Sequence, residues 1–260
     1  MSPKRRAPEP NRSAVTRLLL VLVLALMAPI ASASAQQHSD PLEKINRPIF
    51  RFNDGVDRWV MEPLATGYDF VMPDMAQTWV DNFFTNLRFP IVLANCLLQG
   101  RLDKGATSVG RFVLNSTVGV AGFGDPATHF RIPKPNEDFG QTLGKWGLEP
   151  GPYLMLPLFG PSDLRDTVGS SVDGLARVWP FFIDPVVTTA TTSAQTLNTR
   201  SLYLKEVRDA RARSLDYYAF VRDAYLQYRQ SLIDDKIGNG HGREPAASDE
   251  DLYFPTSDKE

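Results

Sequence analysis

The chain has 260 residues, of which 43% are hydrophobic and 22% charged, so it is long enough for one large or two small globular domains and is not disordered as a whole. Its 28 basic and 30 acidic residues give a formal net charge of −2, which argues against nucleic-acid binding because that function needs a basic face. The 20 prolines exceed the usual share of about 5% and argue against an unbroken helical bundle.

Residues 1–35 are predicted to be a cleaved secretory signal peptide. Five basic residues precede an uncharged apolar run over 18–30, and Ala33 and Ala35 suit a small-residue cleavage site. A retained membrane anchor is disfavoured because the run is shorter than the ~20 residues of a membrane span. Removal of this segment leaves 23 basic and 29 acidic residues, a net charge of −6.

Cysteine usage is sparse for an exported protein. Cys96 is the only cysteine and cannot form an intrachain disulfide, so it is predicted to be a small buried hydrophobe. No cysteine lies near residue 36, so we expect no lipidation there.

The first predicted helix starts at Asp40 as its N-cap, with Pro41 in the first helical position and Glu43 completing a capping box. Pro48 and Gly55 predict a kink or hinge within it. An apolar stripe of helical period runs along this helix, with residues at spacings of three and four: Leu42, Ile45, Ile49, Phe52, Val56 and Val60. The stripe is interpreted as core packing or, alternatively, as lying partly against lipid.

Two further helices are predicted before residue 120. One covers 79–100, with Pro90 as a second kink and Gly100 as its end. A weaker helix covers 101–120. The apolar faces are, for the first, Val80, Phe84, Leu87, Ile91, Ala94 and Leu98, and for the second, Val109, Phe112 and Val113.

The stretch 139–166 is interrupted by Gly and Pro, and within it 153–159 is apolar and uncharged, with strand alternation as one interpretation. A capped helix is predicted to start at Ser162 or Asp163 and to stop before Pro180. Short helices are predicted over 180–199.

The last predicted element is one long helix from Ser201 to Ile233, with Asp209 and Arg213 as a charge pair on its wet side. Residues 238–260 are predicted to be a disordered tail, and the domain is expected to span 36–237.

The sequence contains no convincing catalytic, cofactor or metal motif. "GFGDPA", residues 122–127, fits a loose dinucleotide pattern, but no amphipathic helix follows, so a Gly-rich turn is predicted. The carboxylate pairs Glu137–Asp138 and Asp163–Asp166 are interpreted as caps or solvated pairs. We therefore expect no enzymatic activity, no cofactor and no metal site.

Six blocks along the chain resemble the MlaA (VacJ) family in order and spacing, over about residues 40–233. They are "DPLEKINRPIFRFN", "FFTNL", "LLQG", "RFVLNSTVGVAGFGDPA", "EDFGQTLGKWGLEPGPYLMLPLFGPSDLRD" and "RDAYLQYRQSLI".

The resemblance implies a mostly helical ring in the outer membrane, on its periplasmic side, with an amphipathic central channel. It also implies nonenzymatic transport that removes mislocalised phospholipid from the outer leaflet, with a trimeric porin and a periplasmic lipid carrier as partners. The kinked helices would form the ring, and the Gly/Pro-rich segment would line the channel. The lipid path would include Phe139, Trp146, Tyr153, Leu154, Leu156, Leu158 and Phe159.

The four tryptophans, Trp59, Trp79, Trp146 and Trp179, either sit at headgroup level or pack in the core. One departure from the family concerns the membrane anchor. Typical members are lipoproteins with an acylated N-terminal cysteine, whereas no cysteine lies near residue 36 of this sequence. Two other functions stay open: a soluble periplasmic lipid-binding or scaffold protein with a hydrophobic groove, and a hydrolase that uses an acid pair.

Overall fold

The computed structural model describes residues 40–176 and 184–235. The predicted signal peptide, the predicted tail and Trp179 lie outside the described residues. The described part is mostly helical, which confirms that part of the predicted fold class.

The chain enters α1 (Glu43–Val56), continues through a π-helical stretch (Asp57–Met61) and ends this arm in α2 (Glu62–Val71). The predicted start was wrong by a few residues: Asp40 accepts a hydrogen bond from the Leu42 N–H at 2.9 Å, and the helix follows that turn instead of beginning at Asp40. The π-helical stretch begins two residues after Gly55.

The single helix predicted over 79–100 is two helices, α3 (Asp74–Leu87) and α4 (Phe89–Leu98), separated at Arg88. Pro90 lies in the first turn of α4, where its missing N–H costs no helical hydrogen bond. Gly100 ends α4 with a left-handed φ of 71°, which confirms its predicted role.

α5 (Leu102–Thr117) leads into a Gly-rich turn and the short α6 (Pro126–His129). The turn prediction for "GFGDPA" is confirmed, and Asp125 caps α6 by accepting from the Thr128 N–H at 3.2 Å. α7 (Phe139–Lys145) follows.

A β-hairpin separates α7 from α8. Strands β1 (Tyr153–Leu156) and β2 (Gly160–Asp163) pair antiparallel, with Tyr153 opposite Asp163 and Leu156 opposite Gly160. α8 (Leu164–Ala176) starts directly after Asp163, whose Oδ1 accepts from the Asp166 N–H at 2.7 Å, so the predicted cap is confirmed.

The C-terminal half departs most from the sequence-based expectation. α9 (Pro185–Leu202) is one helix of 18 residues where short helices were predicted. The predicted helix from Ser201 to Ile233 is broken into α10 (Leu204–Arg213) and α11 (Tyr217–Ile233), because Asp216 caps α11 through the Ala219 N–H. The predicted Asp209–Arg213 pair is present at 3.9 Å.

Polar side chains are unusually prominent in the interior. The largest fully buried side chains include the carboxamides Asn46, Gln77, Gln141 and Asn198, whereas a small apolar cluster forms around Tyr153, Met155 and Tyr218. Cys96 is buried, as predicted.

Many large apolar side chains on the helices are exposed to solvent. Phe70 is 91% exposed and Trp59 84% exposed. In α1 the predicted stripe is exposed at Ile45 and Phe52, so its interpretation as core packing was wrong there. In α5 the buried side is polar, with Ser108, Arg111 and Asn115.

Candidate functional site

Two asparagines of α1 hold the β-hairpin. They are seven residues apart, about 10.5 Å along a helix, so Asn46 contacts β1 and Asn53 contacts the end of β1 and the hairpin turn. Each carboxamide therefore bonds the backbone as a neighbouring strand would. The bonds are Asn46 Nδ2 to Tyr153 O (2.9 Å), Met155 N to Asn46 Oδ1 (2.9 Å), Asn53 Nδ2 to Leu156 O (2.9 Å) and Leu158 N to Asn53 Oδ1 (2.8 Å).

A cavity of about 310 Å³ lies between this hairpin, the α3–α4 junction, α8 and α11. One part of its wall is apolar and is formed by Ile91, Leu156, Phe159 and Pro161. The other part is charged and is formed by Arg88, Asp138, Asp166, Asp173 and Arg229. The cavity is therefore amphipathic.

Arg229 of α11 organises the charged wall. Its guanidinium makes a bidentate pair with Asp138, at 2.6 Å and 3.0 Å, and its Nε contacts Asp166. Tyr225 and Arg165 also bond Asp166, at 2.7 Å and 3.0 Å. Because its members come from three elements, the network joins α7, α8 and α11. These groups are largely buried, and charge-assisted bonds of this kind are strong.

The same network lowers the pKa of two carboxyls. Burial alone would raise the pKa of Asp138 and of Asp166, but hydrogen bonds from Arg229 and its positive charge outweigh burial and hold both below the ordinary value. Both side chains are therefore ionised at neutral pH, and both are committed to arginine.

Two other carboxyls respond in the opposite direction. Burial, and then the negative charge of Asp166, raise the pKa of Asp163 to about 7 against the opposing charge of Arg165. Burial also raises the pKa of Asp173, which accepts from the Phe139 N–H at 2.9 Å and from Asn95 at 3.1 Å.

Two glycines allow α7 and α8 to approach closely enough for this arrangement. A Cβ on Gly169 would lie 2.3 Å from the backbone nitrogen of Gly140, and a Cβ on Gly140 would lie 2.5 Å from Asp166 Oδ1. Any larger residue at either position would separate the two helices, and with them Asp138 and Asp166.

The residues predicted for the lipid path do not all lie together. Leu156 and Phe159 line the cavity. Tyr153 is buried in the apolar cluster with Tyr218, while Trp146 is exposed and packs edge-on against Phe139. Leu154 shares the strand face of Leu156, and Leu158 is exposed at the hairpin turn.

The tryptophans Trp59, Trp79 and Trp146 are all exposed, so their interpretation as core residues was wrong. For the two carboxylate pairs, the interpretation as helix caps is confirmed: Asp138 caps α7 through the Gln141 N–H at 2.8 Å, and Asp163 caps α8. The alternative interpretation as solvated pairs was wrong, because Glu137 and Asp163 are buried.

Sequence reasoning missed the roles of Arg88 and Arg229. Arg229 pairs with Asp138, 91 positions away in the chain, and Arg88 meets residues of distant elements only in the cavity lining, so no local spacing reveals either role. Asp163 and Asp166 were noticed only as a pair at helix-cap spacing.

Within residues 40–176 and 184–235, no cluster of His, Cys, Asp and Glu has an arrangement that could hold a metal ion. None of the helices described there has both the length and the apolar character to cross a membrane.

Comparison with known proteins identifies the family. The profile of the MlaA lipoprotein family matches residues 38–232. The chain belongs to this family. The Escherichia coli (strain K12) intermembrane phospholipid transport system lipoprotein MlaA is 34% identical over 239 residues, which cover 87% of this chain and 90% of that protein. The Haemophilus influenzae protein of the same name is 29% identical, covering 85% of this chain and 92% of its own length.

A solved structure is also similar. It comes from work on the structural basis for maintenance of bacterial outer membrane lipid asymmetry, and it matches with a TM-score of 0.67 and 32% identity over 75% of this chain and 100% of the solved chain. The predicted resemblance to the MlaA family is therefore confirmed.

Proposed function

We propose that this protein acts in intermembrane phospholipid transport and that the amphipathic cavity is part of the lipid path. Family membership and the similarity to transport-system relatives support the general function. The single observation that supports the site is that one cavity is lined by both apolar and charged side chains.

This division suits the two ends of a phospholipid. An acyl chain is favourably removed from water by contact with Leu156 and Phe159. A zwitterionic or anionic headgroup needs charged partners, and Arg88 is exposed at the cavity and forms no ion pair with any residue that the structure describes. The volume lies at the lower end of the ~300–1,000 Å³ typical of ligand pockets, so it would hold a part of a lipid at a time.

The exposed apolar helix faces support an association with the outer membrane. A soluble groove-binding protein would leave the large apolar side chains of Trp59, Phe70 and Trp79 in water. Insertion of these faces into the periplasmic leaflet would bury them. Export through the signal peptide is part of the same proposal.

The finer assignments rest on the family resemblance. We include a trimeric porin and a periplasmic lipid carrier as partners, and removal of phospholipid from the outer leaflet as the direction of transport. A nonenzymatic role is supported by the carboxylates Asp138 and Asp166. Both are paired with Arg229, so neither is free to accept a proton from a substrate.

Phe159→Asp tests the lipid path. Phe159 is 87% exposed and lines the cavity, so the substitution should leave folding nearly intact while it places an unpaired charge beside acyl chains. Outer-leaflet phospholipid should rise in cells that carry this variant, at normal protein abundance and thermal stability.

Leu215→Asp is the matched control, because Leu215 is fully exposed in the α10–α11 connection, away from the cavity lining. It should leave lipid clearance unchanged. Unchanged clearance in a stable, membrane-located Phe159→Asp variant would refute the assignment of the cavity.

A further inference from the structure

A second surface stands apart from the cavity. Residues 118–134, between α5 and α7, form what we call the turn segment, which contains α6. Several of its apolar side chains are exposed: Val120 is 74% exposed and Phe130 68% exposed, Val118 is also exposed, and Phe123 is partly exposed while it stacks on Phe83 of α3. These residues are placed in tight turns, not on a helix face.

The backbone of the turn segment is closely constrained. The Gly124 N–H donates to Gly119 O at 2.7 Å, and the Gly122 N–H donates to Asn115 O at 2.9 Å. A Cβ on Gly119 would lie 2.4 Å from the backbone carbonyl oxygen of Asn115, so the turn requires glycine at this position. Val120 adopts a left-handed φ of 53°, which is costly for a β-branched residue. The exposed valine is therefore held in place by the fold.

The polar groups beneath the segment face inward. Asp125 accepts from Arg111 at 2.6 Å and from Asn115 at 2.9 Å, and Arg111 also donates to Ile132 O at 2.5 Å. Arg111 and Asn115 are buried. The single acidic side chain of the segment is thus neutralised on its inner side.

The outer side carries unpaired positive charge. Arg131 and Lys134 are exposed, and neither forms an ion pair or a side-chain hydrogen bond with the residues over 40–176 and 184–235. Arg131 has a left-handed φ of 56°, and its N–H donates to Thr128 O at 2.9 Å. Two exposed cations therefore follow the exposed Phe130 within four residues of the chain.

We propose that the turn segment is an interfacial anchor that binds anionic phospholipid headgroups at the membrane surface. Phe130 and the exposed valines enter the headgroup–acyl boundary, where apolar and aromatic side chains are favoured. Arg131 and Lys134 bind the lipid phosphates, and each cation near an anionic surface strengthens binding about fivefold. This role goes beyond the transport path, since it concerns how the protein is held against the bilayer.

Vesicle flotation of the purified protein tests the anchor. Vesicles of phosphatidylcholine alone are compared with vesicles that also contain phosphatidylglycerol. We expect the protein to prefer the anionic vesicles, and Arg131→Gln with Lys134→Gln should remove roughly a five- to thirtyfold preference. High salt should weaken the same preference in the unmodified protein, because it screens the charges.

Lys205→Gln with Arg213→Gln is the matched control, since both cations are exposed on α10 and the change in net charge is the same. This pair should keep the preference, and an equal loss in both pairs would refute the anchor as a specific site. Phe130→Ser should weaken binding to both kinds of vesicle while the preference remains.

Two other outcomes overturn the proposal. The first is an unchanged preference for anionic vesicles in the Arg131→Gln, Lys134→Gln variant with native thermal stability. The second is normal vesicle binding by that variant together with its loss from outer membranes in cells, which would assign the segment to a protein partner.

Discussion

The interior of this protein contains large polar side chains, whereas its outward helix faces expose large apolar ones. Inside, Asn46, Gln77 and Asn198 are almost fully buried. Asn46 and Asn198 donate to backbone carbonyls of segments far away in the chain, and Gln77 accepts from the distant Ser201 hydroxyl. Outside, Trp59 and Phe70 are among the most exposed residues. In a typical water-soluble protein the large apolar side chains would lie in the interior and the carboxamides on the surface.

The difference indicates which forces hold the helices together. Where the outer faces contact lipid, moving apolar side chains inward brings no hydrophobic gain, and helices associate through packing and hydrogen bonds. The buried carboxamides and ion pairs provide those bonds here. The interior should therefore be sensitive to the loss of polar groups, and the exterior should tolerate changes that keep the helices intact.

The largest loss of stability is expected for Arg229→Met. It leaves Asp138 and Asp166 buried without their cation, and breaking a buried ion pair in this way costs about 3–5 kcal/mol. Denaturant or thermal unfolding in detergent measures the change. Arg208→Met is the control, because Arg208 is half exposed and its pair with Glu62 contributes at most about 1 kcal/mol. Equal losses would contradict the importance of the interior network.

A smaller loss is expected for Asn198→Leu, which has nearly the same shape but no hydrogen bonds. Tyr68 donates to Asn198 at 2.8 Å, and Asn198 donates to Gln77 O at 3.0 Å, so a part-buried hydroxyl and a buried carbonyl lose a partner. Each costs about 1–3 kcal/mol. Thr199→Leu, at the adjacent exposed position of α9, should change the unfolding free energy by under about 0.5 kcal/mol. A stable Asn198→Leu variant would show that apolar packing suffices inside.

Asp163 should make stability depend on pH. Its pKa is about 7 when folded and near 3.8 when unfolded, so between these values the folded state binds more protons and the free energy of unfolding falls as pH rises. Asp163→Asn, which can still cap α8, should flatten this fall between about pH 4 and pH 7. Unfolding curves at several pH values measure it, with exposed Asp209→Asn as the control. An unaltered pH profile would disagree with a buried, protonated Asp163.

The smallest effect on folding is expected outside, for Phe70→Ser. The side chain is 91% exposed, so the unfolding free energy should change by under about 0.5 kcal/mol. Membrane partitioning should weaken by about tenfold or more, since burial of a Phe side chain contributes roughly 1.5–3 kcal/mol. Salt washing should release neither form, because insertion of apolar groups is not screened. Unchanged partitioning would show that α2 does not contact lipid.

Local features of the fold were predictable because they depend on neighbouring residues. Gly100 ends α4 and Asp163 caps α8, since φ preference and a hydrogen bond to an N–H three residues ahead act over one turn. The six family blocks were also readable in order, and the profile match over 38–232 confirms the family.

Other features followed from distant contacts. The helix predicted from Ser201 to Ile233 breaks before α11, and Asp216 there caps the new helix while it pairs with Arg47 at 2.5 Å and 3.1 Å. The cap at Asp216 is a local signal, which the long apolar stripe outweighed in the prediction, whereas the pair with Arg47 spans 169 positions and lies outside any pattern within the helix.

The sequence by itself determined that the helices have two chemically distinct faces, and only the tertiary structure decided which face lies inside. Apolar residues at spacings of three and four identify a stripe, as with Ile45 and Phe52 in α1, but periodicity is the same whether the stripe meets a core or a lipid. The decision depends on the partners of Asn46 and Arg229, which come from other elements and are absent from any local window. Once those polar groups satisfy each other inside, the apolar stripe is left on the outside.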